Sequence, residues 1–377
     1  MHVSDSHLGY SDLDRVNEAG VNQREQDFYD AFARVADEIL AIQPDLVIHT
    51  GDFFHRASPT NRALTEGLLQ IKRFTSLGIP LVIIAGNHST PRTSLASPIL
   101  KALRALDHVC PVFEERYARF ELGDTAIHCL PHINDESQAL AEIDRIEPIA
   151  DLPNLLLLHQ SVGPEYLMES YGERVFPRER AEALFPRFEY VGLGHWHRYQ
   201  SVKPYPNAYY AGSTERCSDR ETGYEKGFLL VEIEGQGRTR VEFRPIATRP
   251  WHRVDVGDCC DKDYDSIFRE VETAVDGLPL DGSLVHLYLH GLTEAQAVEL
   301  TAASFQDLFK PCLHLQLVRR LRPAEGTRLA AAEISAESLE DLFGRYLKES
   351  ADESEFQRLN RLARDYFARV GGDGQWS

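Results

Sequence analysis

The stretch Asp45-Leu-Val-Ile-His-Thr-Gly-Asp-Phe-Phe-His55 organises the rest of the chain. Its apolar run follows Pro44 and predicts a short buried strand. This strand should end at Gly51-Asp52, where the chain turns sharply and presents a carboxylate at the C-terminal edge of a sheet. Because ligand sites of open α/β sheets lie at that edge, we expect Asp52 to belong to a functional site.

Four further strand-to-loop junctions carry metal-ligating residue types. In chain order they are Asp5-x-His7, Gly86-Asn87-His88, His159 and Gly194-His195-Trp196-His197. Carboxylate, imidazole and amide groups together suit a divalent cation such as manganese or iron, and the lack of cysteine ligands disfavours a structural zinc site. The number of ligands fits two cations, about 3.5–4 Å apart, that share one carboxylate. We predict that Asp52 is the shared ligand.

The spacing of apolar residues predicts an α/β fold. Helical spacing is found at 22–43, 61–76, about 95–106 and near 136–146, and apolar strands lie between these segments. From Lys226 the pattern changes to two alternating strands, which should close the first domain. We predict three regions: a catalytic domain at 1–246, a small α+β cap domain at 247–325, and a linker with two amphipathic helices at 326–377.

Composition limits the class of protein. The 377 residues and 43% apolar content suit a globular chain of two or three domains. The net charge of -19 argues against a uniformly basic nucleic-acid binder, although bound cations and a local basic face can reverse the field. The six cysteines show no regular framework and are interpreted as reduced, intracellular thiols. No apolar run approaches the roughly 20 residues of a membrane span, so we expect a cytoplasmic protein without membrane contact.

The start of the chain gives one further expectation. Only Met1-His2-Val3 precede the first polar junction, whereas a buried strand should contain several apolar residues. We therefore expect the natural strand to begin a few residues earlier.

The junctions resemble the five signature motifs of the calcineurin-like metallophosphoesterases. Three segments resemble more closely the SbcD/Mre-eleven nucleases of double-strand-break repair: Asp5-Ser-His-Leu-Gly-Tyr10, Gly51-Asp-Phe-Phe-His55 and Gly212-Ser-Thr-Glu-Arg216. The resemblance covers essentially the whole chain. It implies a calcineurin-like four-layer αββα sandwich with a small DNA-binding cap and a C-terminal helical tail.

The same resemblance implies a role for each site residue. The first metal ion would be held by Asp5, His7, Asp52 and His197, and the second by Asp52, Asn87, His159 and His195. His88 would stabilise the transition state or protonate the leaving oxygen, and His55 would support the phosphate side. One departure concerns Ser89, because the superfamily usually has Asp or Glu directly after this Gly-Asn-His triplet. An acidic neighbour would orient His88 and raise its basicity.

The resemblance also implies an activity and partners. The activity would be a 3′-to-5′ exonuclease and a single-strand or hairpin endonuclease, favoured by manganese. The C-terminal helices would bind an SbcC/Rad-fifty-type ABC ATPase. The helices near 61–76 and 95–106 would pair across the two-fold axis of a homodimer.

Two alternative functions stay open. The first is a phosphatase or cyclic-nucleotide phosphodiesterase on the same scaffold, although the region after the catalytic domain argues against a minimal enzyme of that kind. The second is a non-catalytic scaffold, for which Ser89 is the only residue in favour. Arg216 could contact phosphate, and Arg249 and Arg253 could belong to a basic surface that faces DNA, but scattered arginines are usually only solvated.

Overall fold

The computed structural model describes residues 1–92, 97–167, 175–234 and 238–322, together with Phe356, Leu359 and Leu362. Apart from these three positions, the linker and helical tail predicted at 326–377 lie outside the described residues. In the part of the chain that is described, no helix is both long enough and apolar enough to span a membrane.

Two six-stranded sheets dominate the first 245 residues. Their strands are β1 (His2–Val3), β2 (Val47–His49), β3 (Leu81–Ile84), β4 (Val109–Val112), β5 (Ala118–Leu122), β6 (Thr125–Leu130), β7 (Asn154–His159), β8 (Tyr190–Gly194), β9 (Gln200–Ser201), β10 (Ala208–Tyr210), β11 (Gly227–Glu234) and β12 (Arg238–Pro245). The first sheet has the order β12-β11-β1-β2-β3-β4, and the second has the order β5-β6-β7-β8-β10-β9. β1 to β4 are parallel to one another, as are β6, β7, β8 and β10, so their C-terminal ends meet at one edge of each sheet.

Four helices lie between these strands, three of them where the sequence predicts helices, and two more follow β12. They are α1 (Gln23–Ile42), α2 (Asn61–Thr75), α3 (Glu136–Ile143), α4 (Arg178–Leu184), α5 (Tyr264–Val275) and α6 (Glu294–Glu299). The Asn22 side chain caps α1 by accepting from two backbone N–H groups, and Gln43 ends it in a left-handed conformation just before Pro44. The helix expected at about 95–106 is a 3-10 helix at Ile99–Ala105, and residues 93–96 are not described.

The first sheet packs on both faces. Ile83 of β3 shares a core with Phe32 of α1 and Ile71 of α2. Its neighbour Val82 points to the opposite face, because side chains alternate along a strand. There Val82 shares a second core with Leu157 of β7, which belongs to the other sheet. The first sheet therefore lies between a helical layer and the second sheet.

The second sheet repeats this arrangement. Leu158 of β7 packs in a third core with Ala139 of α3 and Leu184 of α4, whereas Leu157 faces the first sheet. The layers are thus helix, sheet, sheet and helix. The predicted four-layer αββα sandwich is confirmed.

The remaining described elements form an α+β region. Three strands, β13 (Trp251–Val256), β14 (Leu284–Leu292) and β15 (His314–Leu321), form a sheet in the order β13-β14-β15. The described chain divides into two compact units. The first comprises Met1–Asp255, Phe268–Tyr288 and Ala302–Val318, and the second comprises Val256–Ile267, Leu289–Thr301 and the described residues from Arg319 onward. The domain bounds 1–246 and 247–325 stay predictions.

A buried network of charges ties α1 to distant parts of the first unit. Arg24 Nη1 lies 2.6 Å from Asp27 Oδ2, and Arg249 donates to both oxygens of Asp27 at 2.7 and 2.6 Å. Arg24 also donates to the carbonyl oxygen of Arg216 at 2.6 Å. Asp27 holds the Arg249 guanidinium in a bidentate pair, so Arg249 has a structural role here, and its place on a DNA-facing basic surface stays a prediction.

Asp27→Ala should destabilise the chain by about 3–5 kcal/mol, because it removes the carboxylate that Arg24 and Arg249 share, and Glu215, 3.6 Å from Arg24, compensates only part of their charge. The matched control is Asp37→Ala on the same helix. Asp37 pairs with Arg73 at 2.5 Å, but both side chains are exposed, so its loss should change stability little. Urea unfolding of both variants measures the difference, and equal effects would contradict the structural role of the network.

Candidate metal centre

The loops after β1 and β2 run side by side, joined by backbone hydrogen bonds, and three of their residues have unusual backbone angles. The backbone N–H of His7 donates to Asp52 O at 2.9 Å, and that of Asp5 donates to Gly51 O at 3.1 Å. Asp5, His7 and Asp52 all have positive φ angles, of 49°, 43° and 49°. Residues other than glycine rarely adopt this conformation, and such strain is typical of functional sites. The strain lies at the edge where the sequence predicts the metal ligands.

Two glycines of the motifs allow the ligands to approach the backbone. A Cβ atom on Gly51, whose φ is 108°, would lie 2.1 Å from Nδ1 of His159. A Cβ atom on Gly86 would lie 2.2 Å from Oδ1 of Asp52. Because real Cβ atoms do not come this close to other atoms, any other residue at either position would displace a predicted ligand.

His159 directs its ring Nε2 at two oxygen atoms. Its Nδ1 lies 2.7 Å from Thr50 O and must donate to it, since a carbonyl only accepts. Nε2 then lies 3.2 Å from Asp52 Oδ2 and 3.0 Å from Asn87 Oδ1. Burial lowers the pKa of His159, but Asp52 and its other partners raise it to about 9 overall. At neutral pH the ring is therefore also protonated on Nε2, and a cation could take the place of this proton between the ring, Asp52 and Asn87.

A second group of donors lies around His7. Its Nε2 is 3.0 Å from Nε2 of His197, and ligand atoms of Asp5, His7 and Asp52 lie within 4.8 Å of one another. The backbone N–H of His195 donates to the Asp5 carboxylate at 3.0 and 3.2 Å. The His195 ring centroid is 5.5 Å from that of His159.

The structure thus brings all seven predicted ligands together. Their imidazole nitrogens and their carboxylate and amide oxygens are ligand types that divalent cations such as manganese accept, so the set fits two such ions. The division of the ligands between two ions stays a prediction.

His88 lies beside this cluster and is oriented by the backbone. Its N–H donates to Asp52 Oδ1 at 2.9 Å, and its ring Nδ1 donates to the carbonyl oxygen of His55 at 2.9 Å. The side chain of Ser89 is buried, and its hydroxyl has no hydrogen-bond partner among the described residues. The carbonyl of His55 therefore does the orienting that the sequence assigns to a neighbouring acid.

His55 is close to both His88 and His7. Its ring is stacked on that of His88 with 5.0 Å between the centroids, and its Nδ1 lies 3.4 Å from Nδ1 of His7. Burial, followed by His88 and Arg56, lowers the pKa of His55 to about 4. A neutral His55 ring can therefore accept from His7 as well as border the space where a phosphate would lie.

Sequence reasoning missed two residues behind His197. Glu221 Oε1 lies 3.2 Å from Nδ1 of His197, and Lys226 Nζ lies 2.5 Å from Glu221 Oε2. Burial raises the pKa of Glu221, but Lys226 and His197 lower it to about 2 overall. Neither residue follows a strand or belongs to a quoted motif, so no signal in the sequence could have identified it.

The expected phosphate contact by Arg216 is not supported by its position. Its Nη1 donates to Thr248 Oγ1 at 2.6 Å, and its Nη2 donates to the carbonyl oxygen of Tyr224 at 2.8 Å. The guanidinium holds neighbouring segments together, so its donors are already engaged.

The comparisons with known proteins agree with this geometry. A family model described as calcineurin-like phosphoesterase matches residues 1–199. The chain belongs to the calcineurin-like phosphoesterase family. The predicted class of enzyme, a metal-dependent phosphoesterase, is therefore confirmed.

Individual relatives give a finer likeness. The chain is 28% identical to the DNA double-strand break repair protein Mre11 of Thermoplasma acidophilum, over 81% of both chains. It is 30% identical to Mre11 of Sulfurisphaera tokodaii, over 64% of this chain and 59% of the relative. A solved dimetal phosphatase from Danio rerio matches 65% of this chain and 95% of its own, with 10% identity and a TM-score of 0.42. The similarity to SbcD/Mre-eleven proteins that the motifs predict is confirmed.

Asp52→Asn should abolish the binding of both cations, because Asp52 is the ligand predicted to bridge them. Isothermal titration with manganese should give two ions per wild-type chain and fewer than one for the variant. The control is Asp45→Asn, an exposed carboxylate just before the same strand, which should still bind two. Two ions of unchanged affinity in Asp52→Asn would contradict the bridging role.

Proposed function

We propose that this chain is a nuclease of DNA double-strand-break repair that hydrolyses phosphodiester bonds with two divalent cations. The observation that carries the proposal is the convergence of seven metal-ligating side chains at one edge of a calcineurin-like sandwich. The similarity to Mre11 proteins over as much as 81% of the chain supports DNA as the substrate.

The described residues can support phosphodiester hydrolysis. When bound, two cations would lower the pKa of water and offset negative charge on the phosphoryl oxygens. The Asp52 carboxylate and the His159 ring would hold them. In its doubly protonated form, His88 would donate from Nε2 to a phosphoryl oxygen or give that proton to the leaving oxygen, while its Nδ1 donates to the carbonyl of His55.

The finer details of the activity also belong to this proposal. They are 3′-to-5′ removal of nucleotides from DNA ends, cleavage of single strands and hairpins, and a preference for manganese. We further propose a homodimer, and an SbcC/Rad-fifty-type ABC ATPase that binds the helical segment within 326–377. The resemblance of the motifs and the amphipathic spacing of that segment support these partners.

The test compares DNA with a small ester. Wild type, His88→Ala and His108→Asn are incubated with manganese and end-labelled linear duplex, hairpin DNA or bis(p-nitrophenyl) phosphate. His88→Ala should cleave DNA about 10²–10⁴-fold more slowly while it still binds two cations, because general acid catalysis contributes this much. His108 is exposed and far along the chain from every motif, so His108→Asn should cleave like wild type.

Two outcomes would contradict the nuclease proposal. Hydrolysis of the small ester without cleavage of DNA would favour a phosphatase or cyclic-nucleotide phosphodiesterase. If wild type and His88→Ala are equally inactive but both still bind DNA, the non-catalytic scaffold would be favoured.

A further inference from the structure

A buried pair of opposite charges lies directly behind the predicted ligand His197. Glu221 Oε1 is 3.2 Å from Nδ1 of His197, on the side of the ring away from the other ligands. The second oxygen of Glu221 is 2.5 Å from Nζ of Lys226. Both side chains are almost fully buried, with 9% and 0% of their surface exposed. Neither residue has a part in the phosphoester chemistry described above.

The carboxylate fixes the position of the proton on His197. An ionised carboxylate only accepts hydrogen bonds, so Nδ1 must carry the proton that it shares with Glu221. A ring that binds a metal ion through the lone pair of Nε2 keeps one proton, and Glu221 places that proton on Nδ1. Nε2 of His197 points towards Nε2 of His7 at 3.0 Å. A ligating histidine needs this tautomer, and an acidic partner on its second nitrogen commonly fixes it.

Lys226 holds Glu221 and the backbone of His197 in one unit. Its Nζ donates to Glu221 Oε2, to the carbonyl oxygen of His197 at 2.8 Å and to Ser213 Oγ at 2.8 Å. These three acceptors use all three N–H groups of the ammonium. The lysine thus offsets the buried negative charge and sets the distance between Glu221 and His197.

The turn that carries Glu221 is anchored at two further points. It is a single 3-10 turn, Asp219–Glu221. Asp219 accepts from the hydroxyl of Tyr288 in β14 at 2.6 Å, and Arg216 Nε donates to the carbonyl oxygen of Glu221 at 3.3 Å. These contacts lie within the first unit and join the turn to β14 and to the segment around Arg216.

We propose that Glu221 and Lys226 are positioning residues that hold His197 in the tautomer with Nε2 available to the first metal ion. This inference rests on the proposed metal-dependent function. It separates the two cations, because the pair contacts a predicted ligand of the first ion and none of the second. Loss of the pair should weaken the binding of one ion, whereas loss of Asp52 should weaken the binding of both.

The test of this proposal uses the full chain with ¹⁵N-labelled histidine. In the metal-free wild type, the ring-nitrogen shifts of His197 should show the proton on Nδ1, and His197→Gln identifies the signal. The test variant is Glu221→Ala/Lys226→Met, which removes both charges and leaves neither uncompensated. It should lose the Nδ1–H signal of His197. It should also bind the first manganese ion about 10–100-fold less tightly, while the affinity for the second ion stays unchanged.

Glu215→Gln is the matched control, since Glu215 is buried in the same loop but pairs with Arg24 and contacts no predicted ligand. It should leave the tautomer and both affinities unchanged. A wild-type His197 with no proton on Nδ1 would overturn the proposal even if the double variant fails to fold, as would a folded double variant with two unchanged affinities. Wild type that binds no manganese but shows Nδ1–H would instead contradict the proposed function and leave the pairing intact.

Discussion

The rest of the site depends on the ionised carboxylate of Asp52, buried at the end of β2. Burial alone raises its pKa, but His159, together with His88 and His7, lowers the pKa well below its usual value. A buried negative charge is tolerated only when positive or donating groups surround it. Asp52 meets this requirement with the backbone N–H of His88 and the ring of His159, which come from different sheets. The same requirement makes the position suitable for two cations.

The sandwich supplies these groups because its two sheets face each other with their C-terminal edges at the same end. Asp5, Asp52 and Asn87 follow strands of the first sheet, and His159 and His195 follow strands of the second. Neither sheet alone provides a complete set of ligands. Gly51 and Gly86 leave room for the ligands, and the positive φ angles at Asp5, His7 and Asp52 show that the backbone is strained to hold them. The packing of the sandwich is therefore a precondition for the chemistry.

The sequence predicts the site well because its ligands directly follow apolar strands, and strand ends meet in space in an α/β fold. Asp52, Asn87 and His159 could be placed together in this way without any contact being known. The orientation of His88 could not be predicted in this way. Its partner is the backbone carbonyl of His55, and every residue type has such a group, so the sequence does not indicate the contact. Arg216 shows the opposite error, since a charged residue on a loop looks like a phosphate contact until its partners are known.

The fold could likewise be predicted where the residue pattern carries the signal, and not where only the folded chain does. Helices such as α1 and α2 have caps and regular apolar spacing, so their ends could be predicted to within a residue or two. The segment at Ile99–Ala105 has apolar residues at helical spacing but adopts a 3-10 helix, which local spacing does not distinguish. Glu221 lies on a short turn and Lys226 just before β11, so neither follows a strand, and only the folded chain brings them to His197.

The most direct measurement of the central claim is anomalous diffraction at the manganese edge from crystals grown with manganese. Two peaks per chain are expected, about 3.5–4 Å apart, on either side of Asp52. One should lie among Asp5, His7 and His197, and the other among Asn87, His159 and His195. A single peak, or peaks away from Asp52, would contradict that claim.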